Sequence, residues 1–188
     1  ENIRQYFEML SQKGLCSISY ANTTRRFNQA ICDYINSIHS DSNANVYPDS
    51  SCPDDNDHEN LGVYLLDPKH LAAYCEAYHP VILRYDKRVN TDFANNCDIF
   101  NYGAAKGATY DRVLIVPVGT VIPFIKNGTH IAADQTRAKF YVACTRARHS
   151  VVIALKNPEK VTTSFIPTEI KLPNQSFPAY KFYKQTSI

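Results

Sequence analysis

The chain lacks any apolar run near the ~18–20 residues needed to cross a bilayer, which excludes a membrane-spanning helix. It is poor in glycine, with only six (Gly14, Gly62, Gly103, Gly107, Gly119, Gly128), and no spacing among them makes GxxxxGK[ST], GxGxxG or GxSxG. The chain by itself is therefore expected neither to bind ATP tightly nor to act as a typical dehydrogenase or serine hydrolase. Its six cysteines (Cys16, Cys32, Cys52, Cys75, Cys97, Cys144) include no CxxC pair and no Cys/His spacing typical of zinc, so no metal site is expected. Most read as reduced, buried thiols of a cytoplasmic protein. Residues 1–4 carry neither an initiator methionine nor a signal-peptide pattern, and the 188 residues are expected to be a piece of something longer. Without a signal peptide, the three Asn-x-Ser/Thr triplets at Asn22, Asn127 and Asn174 read as chance.

The composition is that of a globular domain. Hydrophobic residues make up 44% and charged residues 20%, enough for one packed core and one substantial domain. Net charge is +2, but it is unevenly placed: residues 1–100 hold 8 Lys/Arg against 14 Asp/Glu, and residues 101–188 hold 12 against 4. A basic second half favours contact with phosphate or nucleic acid, unless folding intermixes the two halves.

Apolar spacing organises the chain. Ile3, Phe7 and Leu10 predict a first helix closed by Gly14, and Phe27, Ile31, Ile35 and Ile38 predict a second over 28–39; both are expected to dock on the core. Residues 40–60 contain six acidic side chains and no Lys or Arg, and read as a solvated surface loop. Beyond it the pattern alternates. Strands are predicted at 62–66, 81–85, 98–102, 112–116 and 150–155, with helices at 68–78 (Asp67 as N-cap, Pro68 at N1) and 136–147. This rhythm predicts an α/β fold whose largely parallel sheet carries helices on both faces. After residue 156 prolines make the sequence irregular, and residues 156–188 are expected to form a C-terminal arm. Its rings Phe177, Tyr180, Phe182 and Tyr183, interleaved with Lys181 and Lys184, either stack on bases or pack against their own domain.

Two segments carry chemistry. Residues 101–115 (NYGAAKGATYDRVLI) place a small-residue turn with Lys106 and Gly107 just before an apolar strand, where exposed backbone N–H groups allow close approach of a phosphate or ribose; a purely structural turn is the alternative. Residues 136–149 (TRAKFYVACTRARH) place Arg146 near the end of a buried helix, in a position suited to an arginine finger. The alternative for Arg146 is a cation favoured by the helix dipole.

Together these segments resemble motifs V and VI of superfamily 1 DNA helicases of the UvrD, Rep and PcrA type, in which a KG-containing turn before a strand precedes a YVAxTRA helix. Upstream, residues 24–32 (TRRFNQAIC) look like that family's motif IV, with Arg26 in the register of its arginine. The resemblance runs from about residue 20 to 155, in the family's order. It implies a RecA-like fold of the P-loop NTPase type, here the second motor domain (residues 1–155), lacking the P-loop itself. ATP and Mg²⁺ would be held mainly by an N-terminal RecA-like domain of the same polypeptide, and single-stranded DNA would be the other partner, with no membrane contact. By the same resemblance Arg26 and Arg146 are the catalytic residues. Lys106, Gly107 and Thr109 would contact nucleotide, and Tyr102, Gly103 and Ala104 nucleic acid. Thr109 stands where those helicases carry a ribose-contacting glutamate, and Gly103 where they carry a histidine. The interval of about 75 residues between motifs IV and V is too short for the accessory domain inserted there in UvrD and Rep. Two other readings remain: a degenerate RecA-like module that binds nucleic acid or protein without ATPase activity, and a helicase–nuclease, for which no carboxylate cluster is evident.

Overall fold

The computed structural model describes residues 3–19, 23–38, 49–53 and 59–184. In chain order the elements are α1 (Ile3–Gln12), β1 (Thr23–Thr24), α2 (Gln29–Ile38), β2 (Asp49–Ser50), β3 (Gly62–Leu66), α3 (Leu71–Tyr78), β4 (Val81–Arg84), β5 (Ile99–Asn101) and β6 (Tyr110–Val116). They continue with α4 (Ile122–Asn127), α5 (Asp134–Cys144), β7 (Ala147–Ala154), β8 (Phe165–Leu172) and β9 (Gln175–Phe182). The main sheet has seven strands in the order β5-β4-β6-β7-β3-β9-β8. Its first five are parallel, and β9 and β8 extend it antiparallel. None of the helices is long and apolar enough to cross a membrane.

Side chains alternate across each strand, so the sheet sorts its apolar residues onto two faces. Val63, Leu65, Val113, Ile115, Val151 and Ile153 meet α2, α4 and α5 through Ile31, Ile35, Ile125 and Phe140. Tyr64, Leu66, Ile82, Leu114 and Val152 face α3 through Leu71, Tyr74 and Cys75. Because both faces are covered, the central strands are near-continuous apolar runs, and every residue of β3 is buried. The start of α3 is built as its sequence predicts: Asp67 Oδ1 accepts from Lys69 N (3.1 Å), and Pro68–His70 forms a 3₁₀ turn before the α-helix proper.

Four expectations change. The first helix forms, but it does not dock: Ile3 is 74% and Phe7 47% exposed. Part of the acidic loop is ordered, since Asp49–Ser50 pairs in parallel with Thr23–Thr24; residues 39–48 and 54–58 lie outside the described ones. The region after 156 is no irregular arm, because β8 and β9 form a hairpin whose inner strand pairs with β3 through Tyr64↔Lys181 to Leu66↔Ala179. Its rings serve packing. Phe182 meets Tyr34 (5.1 Å between centroids) and Phe165 (5.6 Å), Phe177 stacks on His70, and only Tyr183 is left exposed. Finally, Tyr102 is fully buried and its hydroxyl donates to Val116 O (3.0 Å), so its side chain is a core strut and not a nucleic-acid contact.

Candidate functional site

Three connections converge at the N-terminal ends of β6 and β7. α2 is started by Asn28, whose Oδ1 accepts from Ile31 N (3.1 Å) as an N-cap. The same side chain donates through Nδ2 to His149 O (2.9 Å), and its backbone N–H donates to Arg148 O (3.1 Å). One asparagine thus caps the helix and pins it to the first residues of β7. Arg26, two residues earlier, is held near that joint by its backbone N–H on Thr24 Oγ1 (3.2 Å).

Arg146 lies in the tight connection between α5 and β7. It is a buried cation, 5% exposed. Its Nε donates to Val142 O (3.0 Å), Nη1 to Ala108 O (3.2 Å) and Nη2 to Thr145 Oγ1 (3.0 Å). Thr145 in turn donates to Val142 O (3.0 Å), which fixes the hydroxyl as an acceptor for the guanidinium. Three of five N–H groups are committed to neutral oxygens, and among the described residues no carboxylate pairs with it. Burial, and after it the nearby charge of Arg26, pushes the Arg146 guanidinium below its ordinary pKa; Tyr110 and Tyr141 oppose that shift. Desolvation and a like charge both penalise the cation, so the site is poised to gain from an incoming anion.

Arg26 and Arg146 line one cavity of about 410 Å³, together with Thr24, Arg25, Tyr141 and Thr145. Three arginines line it, and among the described residues no carboxylate does. Such a lining suits an oxyanion with several charged oxygens, because arginine offers planar, paired donors to phosphate. A divalent cation does not fit it, and among the described residues no group of three or more His, Cys, Asp or Glu side chains could hold a metal.

The Lys106 turn is built differently from the expectation. The N–H groups of Ala104, Lys106 and Ala108 are spent inside it, on Asn101 O, Gly103 O and Ala105 O, so it is not a ring of free amide donors. Gly107 has φ +95°, which favours glycine for its backbone. Gly103, Ala104, Lys106, Gly107 and Thr109 are exposed, but none lines the arginine cavity; Thr109 lines a different one. The turn meets the cavity through Ala108 O, which Arg146 holds, and Tyr110 N donates to Arg146 O (2.8 Å). Sequence reading missed Arg25, Thr145, Tyr141 and the anchoring role of Asn28. Asn28 three residues before Ile31 is a legible cap pattern, whereas the inward aim of Thr145 follows only from the turn after α5.

No protein-family model matches the chain, and no curated protein matches it. Among solved structures it is similar to the methylated nsp10 helicase of PRRSV, at 19% identity over 83% of this chain and 30% of that one, with a TM-score of 0.44. It is also similar to the arterivirus nonstructural protein 10 helicase in complex with DNA, at 16% identity over 80% of this chain and 29% of that one, with a TM-score of 0.45. The chain thus spans about three tenths of the length of each of these helicases.

Proposed function

We propose that the chain is the second RecA-like motor domain of an ATP-dependent superfamily 1 DNA helicase or translocase of the UvrD-like kind. Arg26 and Arg146 reach the phosphates of an ATP whose P-loop and Mg²⁺ ligands belong to an N-terminal RecA-like domain of the same polypeptide. The observation that carries this reading is the meeting of Arg26 and Arg146, 120 positions apart in sequence, on one cavity that no carboxylate among the described residues lines.

Phosphoryl transfer spreads negative charge over the departing group, and catalysis comes mainly from placing positive charge where it develops. Arg146 is preset for that. Its bonds to Val142, Ala108 and Thr145 fix the plane of the guanidinium before any ligand arrives, and two N–H groups remain for phosphate oxygens. Arg26 is exposed at the rim and supplies a second, movable cation. The Arg146–Ala108 bond offers a mechanical route from phosphate to the turn at 102–109. We assign Lys106 and Gly107 to the nucleotide side of that turn, and Gly103 and Ala104 to the single-stranded DNA side; Thr109, expected on the nucleotide side, lines a different cavity.

Hydrolysis assays on the complete polypeptide test this reading. Arg146→Ala is expected to lower DNA-stimulated ATP turnover by ~10³-fold or more with the fold intact, and the 188 residues alone to show negligible turnover. Near-normal turnover in Arg146→Ala overturns the assignment. Polynucleotide binding without any hydrolysis by the complete protein points instead to a binding module.

A further inference from the structure

A second cationic site lies on the α3 face of the sheet, opposite α2 and α5. Arg112, on β6, is the cross-strand neighbour of Ser150 on β7. Its guanidinium carbon stands 4.3 Å from the centroid of the Tyr78 ring, and Tyr74 lies one helical turn earlier on α3, its ring 5.3 Å from that of Tyr78. Tyr74 and Ser150 are completely buried, yet neither the Tyr74 hydroxyl, nor Ser150 Oγ, nor Arg112 Nη1 has a hydrogen-bond partner. Burial pushes the Tyr74 hydroxyl up to about 12, against a pull downward from Arg112 and Ser150.

Arg112 is therefore a partly buried cation that no carboxylate among the described residues neutralises, next to orphaned donors that are costly to keep. Its outer edge, with Tyr78, His79, Thr109, Tyr110 and the exposed Asp111, lines a cavity of about 510 Å³. Two acidic groups stand near this rim. Asp111 is exposed and lies 3.9 Å from His149 Nε2, and Glu59 accepts from the Tyr78 hydroxyl (3.1 Å). The single proton of that hydroxyl is shared between Glu59 and the closer Lys171 O (2.5 Å), and the oxygen accepts from Asn60 Nδ2 (3.2 Å), which holds the ring still as a platform for the guanidinium.

We infer that this cavity is a second anion site, separate from the one lined by Arg26 and Arg146, and that it takes a phosphate group on Arg112 with Tyr78 as stacking wall and Thr109 as a hydroxyl donor. Nη1 of the guanidinium has no hydrogen-bond partner, a stacked arginine is pre-oriented, and a phosphate brings charged acceptors. The same chemistry fits a free phosphate or a phosphodiester of a polynucleotide. The inference does not depend on the function proposed above.

The test uses the whole chain carrying Arg26→Gln and Arg146→Gln, so that the first cavity cannot bind. Thermal unfolding is followed at constant ionic strength against inorganic phosphate and, separately, against a single-stranded oligothymidylate. At least one of the two is expected to raise the midpoint, and Arg112→Gln to abolish that rise. Arg112→Lys, which keeps the charge but not the fork, is expected to weaken binding about tenfold or more. A shift with inorganic phosphate alone identifies a free phosphate, and a shift with the oligonucleotide alone identifies a polymer. Should Arg112→Gln fail to fold, dicarbonyl labelling of the unaltered chain, mapped by peptide mass spectrometry, reads the same site: the effective ligand must protect Arg112. A midpoint indifferent to both ligands, a shift that persists without Arg112, or unprotected labelling overturns the inference.

Discussion

At the residue scale the decisive feature is how Arg146 is held. A long cationic side chain loses considerable rotamer entropy when fixed, and here three neutral oxygens fix it without cancelling its charge. Lysine cannot reproduce that arrangement, because an ammonium has no planar fork. Arg146→Lys is therefore expected to remain close to Arg146→Ala in ATP turnover by the complete polypeptide, despite its preserved charge. Thr145 acts through Arg146. Thr145→Val is expected to lower the turnover number with little change in fold, because Nη2 loses its acceptor, and Thr145→Ser to restore it. Steady-state kinetics on the two variants, beside a circular dichroism melt, separate positioning from packing.

The Asn28 joint dominates at the scale of elements. Its side chain satisfies the first turn of α2 and, at the same time, a carbonyl of β7, so it sets the distance between the Arg26 bend and the Arg146 connection. Asn28→Ala removes a cap worth about 0.5–2 kcal/mol and a side-chain bond to β7 worth about 1 kcal/mol. A loss of roughly 2–3 kcal/mol is expected in chemical denaturation, together with reduced phosphate affinity in the arginine cavity. The hairpin matters equally to the core. Phe182 closes an aromatic cluster with Tyr34 and Phe165 at the junction of α2 and the sheet. Truncation of Phe182 to alanine is expected to cost about 3–5 kcal/mol, measured as a shift of the denaturation midpoint, which a peripheral arm would not show.

Across the whole molecule, burial of ionisable groups makes stability sensitive to alkali. Desolvation pushes the Cys32 thiol up to about 11 and the Cys75 thiol up to about 12, from an ordinary 9.0. Burial likewise pushes Tyr64 and Tyr74 up to about 12, from 10.0. The unfolded chain releases these protons first, so above about pH 9 it binds fewer protons than the folded chain and each step in pH favours unfolding. Stability is expected to be level in this respect below about pH 9 and to fall progressively toward pH 12. Denaturation midpoints across that range check it, and Cys75→Ala is expected to flatten the part of the slope that begins near pH 9. At neutral pH, labelling with a thiol reagent is expected at half-buried Cys16, Cys52 and Cys97 before the buried Cys32, Cys75 and Cys144.

Much of this was legible in the order of residues. Apolar periodicity is a local property, and it located β3 to the residue, α2 within a residue of each end, and the alternation that makes a two-faced parallel sheet. The same reading could not see β8 and β9, since an edge hairpin alternates weakly and its prolines imitate irregular chain; pairing with β3 is what makes strands of them. Nor did the apolar stripe of α1 reveal that its face stays uncovered, because periodicity records the presence of a face and not the presence of a partner. The resemblance makes Tyr102 a nucleic-acid contact, and only the fold shows its side chain turned into the core.

Sequence by itself determined the central strands, the helices α2 and α3 and which side chains carry charge, because helix and strand periods and the chemistry of arginine are written within a few neighbouring residues. Tertiary structure alone decided that Arg26 and Arg146 line one cavity, that Arg146 is buried with no counter-ion among the described residues, and that Thr109 lines the Arg112 cavity instead. Those are matters of distance between segments far apart in the chain, set by sheet register and by the Asn28 joint, and no local pattern encodes them.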